Sequence, residues 1–161
     1  MASAFGDLMT IDDAISALSE LRTTLLILGT SGADGPHFMI GNWGTQASFD
    51  PWRFVMLMKK SAHTLDYAKK HHAFTVNLLK IDQKPLVLSL MKAKGEGHKA
   101  DKASLDAPRL PEAFAGVDCK VIEIHDIGGD HIVVVADIVD GWKKSDGPAM
   151  TVQDAGLNYA G

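Results

Sequence analysis

Residues 53–64 read Arg-Phe-Val-Met-Leu-Met-Lys-Lys-Ser-Ala-His-Thr, and this stretch decides the fold. Between Arg53 and Lys59 the residues are apolar at both alternating positions, which predicts a strand buried on both faces. The pattern changes at the polar residues that follow, and a helix is predicted over about residues 62–71. The local unit is therefore a buried strand that gives way to the N-terminus of a helix.

The junction between this strand and this helix is the most informative segment for chemistry. The first turn of a helix has unpaired N–H groups and a partial positive charge. Ser61 and Thr64 add hydroxyl donors, and Lys59 and Lys60 add positive charge. Such a cluster can hold a phosphate monoester. The sequence equally allows Ser61 to be a simple helix N-cap beside two solvated lysines.

Outward from this unit, strands dominate the chain. Further strands are predicted at about residues 24–30, 37–40, 73–79, 117–125 and 131–139. Further helices are predicted over residues 11–22 and from about Gln83, with Asp82 as N-cap, to before Gly95, with a long polar loop over residues 95–111. Because the strands follow one another through hairpins such as the one at Asp34-Gly35, the pattern predicts a mainly β (α+β) fold, an antiparallel β-barrel with peripheral helices.

Length, charge and cysteine content limit the possible functions. The 161 residues suit one domain, and the formal net charge of -4 argues against nucleic acid as the main partner. The one cysteine, Cys119, has an alternating apolar pattern around it and is predicted to be a buried strand residue. There is no apolar run long enough for a membrane span, and residues 1–7 do not resemble a signal peptide. We therefore expect a cytoplasmic protein without membrane contact.

A second candidate segment runs from Ile40 to Pro51, leaving one predicted strand and ending before the next. Gly41 and Gly44 permit a ligand to approach the backbone closely, and exposed backbone groups there can contact the polar edge of a flat heterocycle. Trp43 can stack on such a ring or fill the core. Considered alone, this segment is more typical of an ordinary loop than of a ligand site.

Several familiar sites are excluded by the sequence. The seven histidines show no HxH or HExxH pattern, so no metal site is predicted, although His125 and His131 flank one hairpin turn. There is no P-loop, no GxSxG elbow and no dinucleotide-binding fingerprint. The carboxylates are scattered and form no evident acid/base pair.

Taken together, these segments resemble the flavin reductase-like family of FMN-binding split β-barrels. The resemblance runs from about Thr24 to Gly141 and depends on the order of several short motifs. They are the segment from Asn42 to Pro51, Lys-Lys-Ser-Ala-His-Thr at 59–64, Phe-Thr-Val-Asn-Leu-Leu at 74–79, Asp101-Lys102 and Gly-Asp-His-Ile at 129–132. Residues 1–161 would then be one split-barrel domain, with residues 1–22 as an N-terminal helical extension.

The resemblance implies the roles of particular residues. In such proteins the loop that matches Asn42, Trp43, Gly44 and Thr45 lines the flavin ring, largely through backbone atoms. The segment that matches Lys60, Ser61, His63 and Thr64 holds the ribityl phosphate. His131 matches a catalytic-site histidine on the nicotinamide side. The family usually forms homodimers with the flavin near the interface.

The resemblance implies an FMN-binding oxidoreductase of the flavin reductase type, which takes hydride from NAD(P)H. Three alternatives stay open at this point. The first is a non-enzymatic FMN-carrying electron-transfer protein with a redox protein partner. The second is a split barrel that binds another ligand such as F420 or haem, and the third is a scaffold that only dimerises. The lack of a catalytic constellation fits a cofactor that carries the chemistry, and it fits a non-enzyme equally well.

Overall fold

A computed structural model describes residues 11–157 of the chain. Residues 1–10, to which the argument about a signal peptide and the first part of the predicted extension belong, lie outside the described residues, as do residues 158–161. The elements in chain order are α1 (Ile11–Ser19), β1 (Leu26–Gly32), β2 (Gly35–Gly41), β3 (Gly44–Phe49), β4 (Trp52–Lys59), α2 (His63–His71), β5 (Ala73–Leu78), α3 (Lys84–Lys92), β6 (Asp101–Lys102), β7 (Pro108–Arg109), β8 (Ala115–Asp126) and β9 (His131–Lys143).

Seven of the strands form one antiparallel sheet, in the order β2-β1-β5-β8-β9-β4-β3. The two short strands β6 and β7 pair separately. Strands β2 and β3 are the two edges of the large sheet, although only Asn42 and Trp43 separate them in sequence. The predicted mainly antiparallel β fold with peripheral helices is confirmed, and in the described part of the chain the barrel is not closed by hydrogen bonds between its edges.

The inner face of the curved sheet encloses the main core. Side chains from β1, β4, β5, β8 and β9 meet there, and α2 adds two more. Its most deeply buried members include Leu28, Met56, Met58, Phe74, Cys119 and Val134. Cys119 has no exposed surface, which confirms the predicted buried strand cysteine.

A second core lies on the outer side of β1 and β2. There α3, the loop before β8 and the C-terminal segment cover Ile27 and Phe38. Strand β1 is therefore buried on both faces, through Leu26 and Leu28 inside and Ile27 outside, and β5 is also buried at successive positions. The prediction for residues 53–59 was wrong in this respect. Strand β4 buries only one face fully. Its other face is only partly buried, because the second core lies over β1 and β2 and includes no residue of β4.

Most of the remaining predicted elements agree with the structure within a few residues, but three do not. Strand β3 occupies residues that the sequence predicted as loop; it is an edge strand with an exposed, mixed polar pattern, so alternation does not reveal it. Helix α1 ends at Ser19, not at residue 22, and has no buried residue among those described. The predicted loop 95–111 contains the short β6–β7 ladder.

None of the helices within residues 11–157 is long and apolar enough to cross a membrane.

Candidate functional site

The turn between the two edge strands begins the site. Asn42 is only 7% exposed, and its Nδ2 donates to the Thr23 hydroxyl at 3.0 Å. Its Oδ1 is buried and has no hydrogen-bond partner among residues 11–157. Asn42 lines a narrow cleft of about 60 Å³. A buried carbonyl oxygen without a donor is costly, so this atom is suited to accept a hydrogen bond from a ligand.

Two rings form the wall of this cleft beside Asn42. Trp43 is 42% exposed, and its carbonyl accepts from the Leu57 amide at 2.8 Å. The ring centroid of His131, the first residue of β9, lies 4.6 Å from that of Trp43. His131 Nδ1 is 2.8 Å from a carboxylate oxygen of Asp130, and this hydrogen bond lowers the pKa of Asp130. The contact holds the imidazole in one orientation.

A larger cavity of about 400 Å³ adjoins the cleft. Met39 and Ala62 line both spaces, which therefore lie side by side along β2, and we refer to the two together as the groove. The far part of the groove combines polar and apolar groups: His37, His63, Thr64, Lys94, Met91 and Leu157. Its size lies within the range of about 300–1,000 Å³ that is usual for small-molecule sites.

The first turn of α2 supplies the polar wall of this cavity. Ala62 is the N-cap residue, and none of the described side chains caps the helix there. Thr64 is 1% exposed, and its Oγ1 lies 3.1 Å from His37 Nε2. Burial lowers the pKa of His37, with His63 acting in the same direction and Glu96 opposing. The helix start therefore presents unpaired backbone N–H groups and a buried hydroxyl to the groove.

Lys60 and Ser61 do not join Thr64 in the groove. Lys60 Nζ forms an ion pair with Asp126 at 2.8 Å, and its backbone N–H donates to the Asp130 carbonyl. Ser61 is exposed and is not the N-cap, so the alternative interpretation of this residue as a helix cap was wrong. Lys60 ties the start of α2 to the β8–β9 turn.

Gly44 and Thr45 do not line the groove with Asn42 and Trp43. Both belong to β3, opposite Met56 and Val55 of β4. They line a different cavity of about 790 Å³, whose mainly apolar walls come largely from β3, β4, β5, β8 and β9. Its lining also includes the polar side chains of Gln46, Asp140 and Lys143.

The groove contains residues that sequence reasoning missed as site residues. His37 and Met39 come from β2, and Lys94 and Gly95 follow α3. Their side chains are ordinary for strand and helix-end positions, so only the packing of α3 against β2 brings them to α2. His125 and His131 do not face each other, because His125 pairs with Val133 in the β8–β9 ladder. The described residues include no cluster of three or more metal-ligating side chains.

The groove residues fit a flavin nucleotide. The orphaned Oδ1 of Asn42 matches the ring imide N–H, and the exposed indole of Trp43 offers a surface for a flat ring system. At the other end, the buried hydroxyl of Thr64 and the first N–H groups of α2 match a terminal phosphate.

Comparison with known proteins shows similarity over most of the chain. A protein of Nostoc sp. (strain PCC 7120) named "Putative diflavin flavoprotein A 3" is 30% identical over 136 residues, which are 80% of this chain and 24% of that protein. This chain thus spans about a quarter of the length of that relative.

Two solved structures share the fold. The Streptomyces globisporus NADH:FAD oxidoreductase SgcE6 superposes with a TM-score of 0.77 at 17% identity, over 91% of this chain and 86% of that chain. The FMN-binding protein from Thermus thermophilus superposes with a TM-score of 0.70 at 22% identity, over 78% of this chain and 72% of that chain. The family model for the flavin reductase like domain matches residues 18–160, and the chain therefore belongs to the flavin reductase-like family.

Proposed function

We propose that this protein is a flavin reductase that binds FMN in the groove along β2 and takes hydride from NAD(P)H. One observation carries the proposal: the groove has the orphaned Asn42 Oδ1 and the Trp43–His131 wall at one end, and the buried Thr64 hydroxyl at the start of α2 at the other. Family membership supports the same conclusion.

The phosphate would be held at the start of α2. The backbone N–H groups of His63 and Thr64 have no acceptor within the helix, and the helix dipole favours negative charge there. The Thr64 hydroxyl adds a donor, and Lys94 on the opposite wall adds positive charge. Lys60 pairs with Asp126 and does not line the groove, so we assign the phosphate to Thr64, Lys94 and the helix N–H groups without it.

The flavin ring would lie at the other end. Asn42 is anchored by Thr23, which holds its Oδ1 in position to accept from the ring. Trp43 covers one side, and Met39 forms the apolar floor shared by both parts of the groove. Once bound, the flavin supplies the hydride-accepting chemistry, so the protein needs no acid/base pair of its own.

His131 would help to seat the nicotinamide. It lies at the ring end, is only 7% exposed, and is oriented by Asp130. An imidazole held in this way offers a fixed hydrogen-bonding nitrogen rather than a freely rotating one. We assign it a role in substrate positioning, since proximity and orientation account for much of the rate of such transfers.

We also propose that the protein is one split-barrel domain that forms a homodimer. Two apolar surfaces support this proposal. The 790 Å³ cavity lined largely by β3, β4, β5, β8 and β9 is mainly apolar. Helix α1 exposes an apolar stripe formed by Ile11, Ile15 and Leu18. A second copy is the simplest partner for such surfaces, because large exposed apolar patches mark interaction sites.

The test uses purified protein, FMN and NADH. Titration of FMN should change its fluorescence on binding, and NADH absorbance should fall faster than with free FMN. A matched control is Glu112→Gln, an exposed residue remote from the groove, which should behave like the wild type. FMN binding without NADH oxidation would instead favour an electron-transfer protein. No FMN binding, with visible absorbance from F420 or haem, would replace the proposed cofactor.

A further inference from the structure

His37 lies on β2 directly against the first turn of α2. Its Nε2 is 3.1 Å from Thr64 Oγ1, and the two side chains line the same cavity. Thr64 is buried, so its hydroxyl hydrogen has few possible acceptors. The hydrogen-bonding state of His37 therefore decides where this hydroxyl points.

The other ring nitrogen constrains that state. His37 Nδ1 is buried and lacks a hydrogen-bond partner within the described residues. If the proton were on Nδ1, a buried donor would be unsatisfied, and Nε2 would accept the Thr64 O–H and turn it away from the groove. If the proton is on Nε2, it donates to Thr64 Oγ1 and leaves the O–H free to donate to a ligand. Buried orphan donors are rarer than under-satisfied acceptors, which favours the second arrangement.

The ring is also held in place and neutral. His37 makes an edge contact with Tyr67, with ring centroids 5.4 Å apart and an angle of 71° between planes. Burial lowers its pKa; His63 on α2 lowers it further, and Glu96, after α3, opposes both. A neutral imidazole carries one ring proton, on Nδ1 or on Nε2. A phosphate in the cavity would favour the Nε2–H tautomer, in which the ring N–H donates to Thr64 Oγ1 and the Thr64 hydroxyl donates to the phosphate.

We propose that His37 is a positioning residue that turns the Thr64 hydroxyl toward the phosphate of the bound flavin nucleotide, and thereby sets the preference for FMN over riboflavin. This inference rests on the proposed function. It assigns no direct phosphate contact to His37. The residue acts through Thr64, so its effect should disappear when the Thr64 hydroxyl is absent.

The test measures FMN and riboflavin dissociation constants by fluorescence for the full chain. For His37→Leu, the FMN affinity should fall by about tenfold, as loss of a hydrogen bond to a charged group predicts, while riboflavin affinity stays within about twofold. Thr64→Val should give the same result. The double variant should lose no more than the larger single loss, because both changes remove one interaction.

Two further variants serve as controls. His37→Gln keeps an N–H donor near the position of Nε2, and Thr64→Ser keeps the hydroxyl; each should stay within about threefold of the wild type for FMN. Riboflavin binding reports that each variant is folded. An unchanged ratio of FMN to riboflavin affinity in His37→Leu, or additive losses in the double variant, would overturn the inference. Failure of the wild type to bind FMN would overturn the proposed function itself.

Discussion

The indole of Trp43 and the imidazole of His131 lie with ring centroids 4.6 Å apart and planes tilted by 53°. One ring comes from the turn between the two edge strands, and the other opens β9 opposite Lys59 of β4. Because β3 and β9 are the two neighbours of β4, the strand order and register bring the edge turn and the start of β9 to one cleft. This relationship makes a wall with an exposed indole and a buried, oriented imidazole.

Replacement of His131 by Phe separates the packing of this ring against Trp43 from its hydrogen bonding. An aromatic ring still packs against Trp43, but both ring nitrogens are lost. We expect kcat/KM for NADH to fall by about tenfold, as loss of one transition-state hydrogen bond predicts. The FMN dissociation constant should stay unchanged. Stopped-flow reduction of the bound flavin by NADH measures the first quantity, and a fluorescence titration measures the second. Equal losses in both would place His131 in flavin binding instead.

The ring end of the groove predicts a different pattern for Asn42. Asn42→Leu removes the orphaned Oδ1 and also the bond to Thr23. FMN and riboflavin contain the same ring, so both affinities should fall by a similar factor, about 5- to 50-fold for a buried hydrogen bond. Thr23→Val removes only the anchoring partner and should cost less. A loss confined to FMN would contradict the assignment of Asn42 to the ring end.

Local sequence patterns and the family resemblance drew attention to different parts of the groove. The strand followed by a helix start pointed to Thr64, whereas Asn42 and Trp43 came from the resemblance, because the stretch before Asp50-Pro51 is by itself typical of a loop. His37 was not predictable, because its contact with Thr64 joins residues 27 positions apart and depends on how β2 packs against α2. Periodicity gives the face of a strand but not its neighbour in space.

Lys60 shows what a local pattern leaves out. A lysine beside a helix N-terminus indicates an anion site, but Lys60 Nζ also lies 2.8 Å from a carboxylate oxygen of Asp126, a partner from β8 that the local segment does not show. Strand β3 was missed for another reason. Residues 44–49 are mostly exposed and pair only with β4, so hydrophobic alternation does not reveal the strand. Long-range pairing of charges and of edge strands is the information that one sequence does not contain.

Gly95 provides a test of the second core. It ends the turn after α3 with φ of 78°, its N–H donates to the Leu90 carbonyl, and its carbonyl accepts from the Phe38 amide at 2.9 Å. A Cβ at this position would collide with the Phe38 backbone. Gly95→Ala should therefore lower the free energy of unfolding by about 2 kcal/mol or more, measured by urea denaturation.

Gly97→Ala is the matched control for this change. Gly97 has a similar φ of 73°, but a Cβ there would meet nothing within 4 Å. Gly97→Ala should therefore lower the free energy of unfolding by about 1 kcal/mol, which is the cost of a non-glycine residue at positive φ. If both variants lost the same stability, the close approach of Gly95 to β2 would have no energetic importance.

Asp118 predicts the pH dependence of stability. Its side chain is fully buried and accepts hydrogen bonds from Arg109, at 2.7 and 2.9 Å, and from the backbone and hydroxyl of Ser104. Burial alone raises the pKa of this carboxyl, but the bonds from Arg109 and Ser104 outweigh burial, and the net pKa is lowered. Asp118→Asn leaves Arg109 poorly compensated and should destabilise the protein by about 3–5 kcal/mol near neutral pH.

The sign of the pH effect follows from the lowered pKa of Asp118. An unfolded aspartate has a pKa of about 3.9, so the stabilisation is fully present above that value and is lost as pH falls through the lower folded pKa. The difference in urea midpoint between the wild type and Asp118→Asn should therefore be large at neutral pH and shrink below about pH 4. Asp140→Asn, which removes the half-exposed second partner of Arg109, should change stability by no more than about 1 kcal/mol. A wild-type advantage over Asp118→Asn that stayed constant down to about pH 2 would show that the charge of Asp118 is not what stabilises this buried pair.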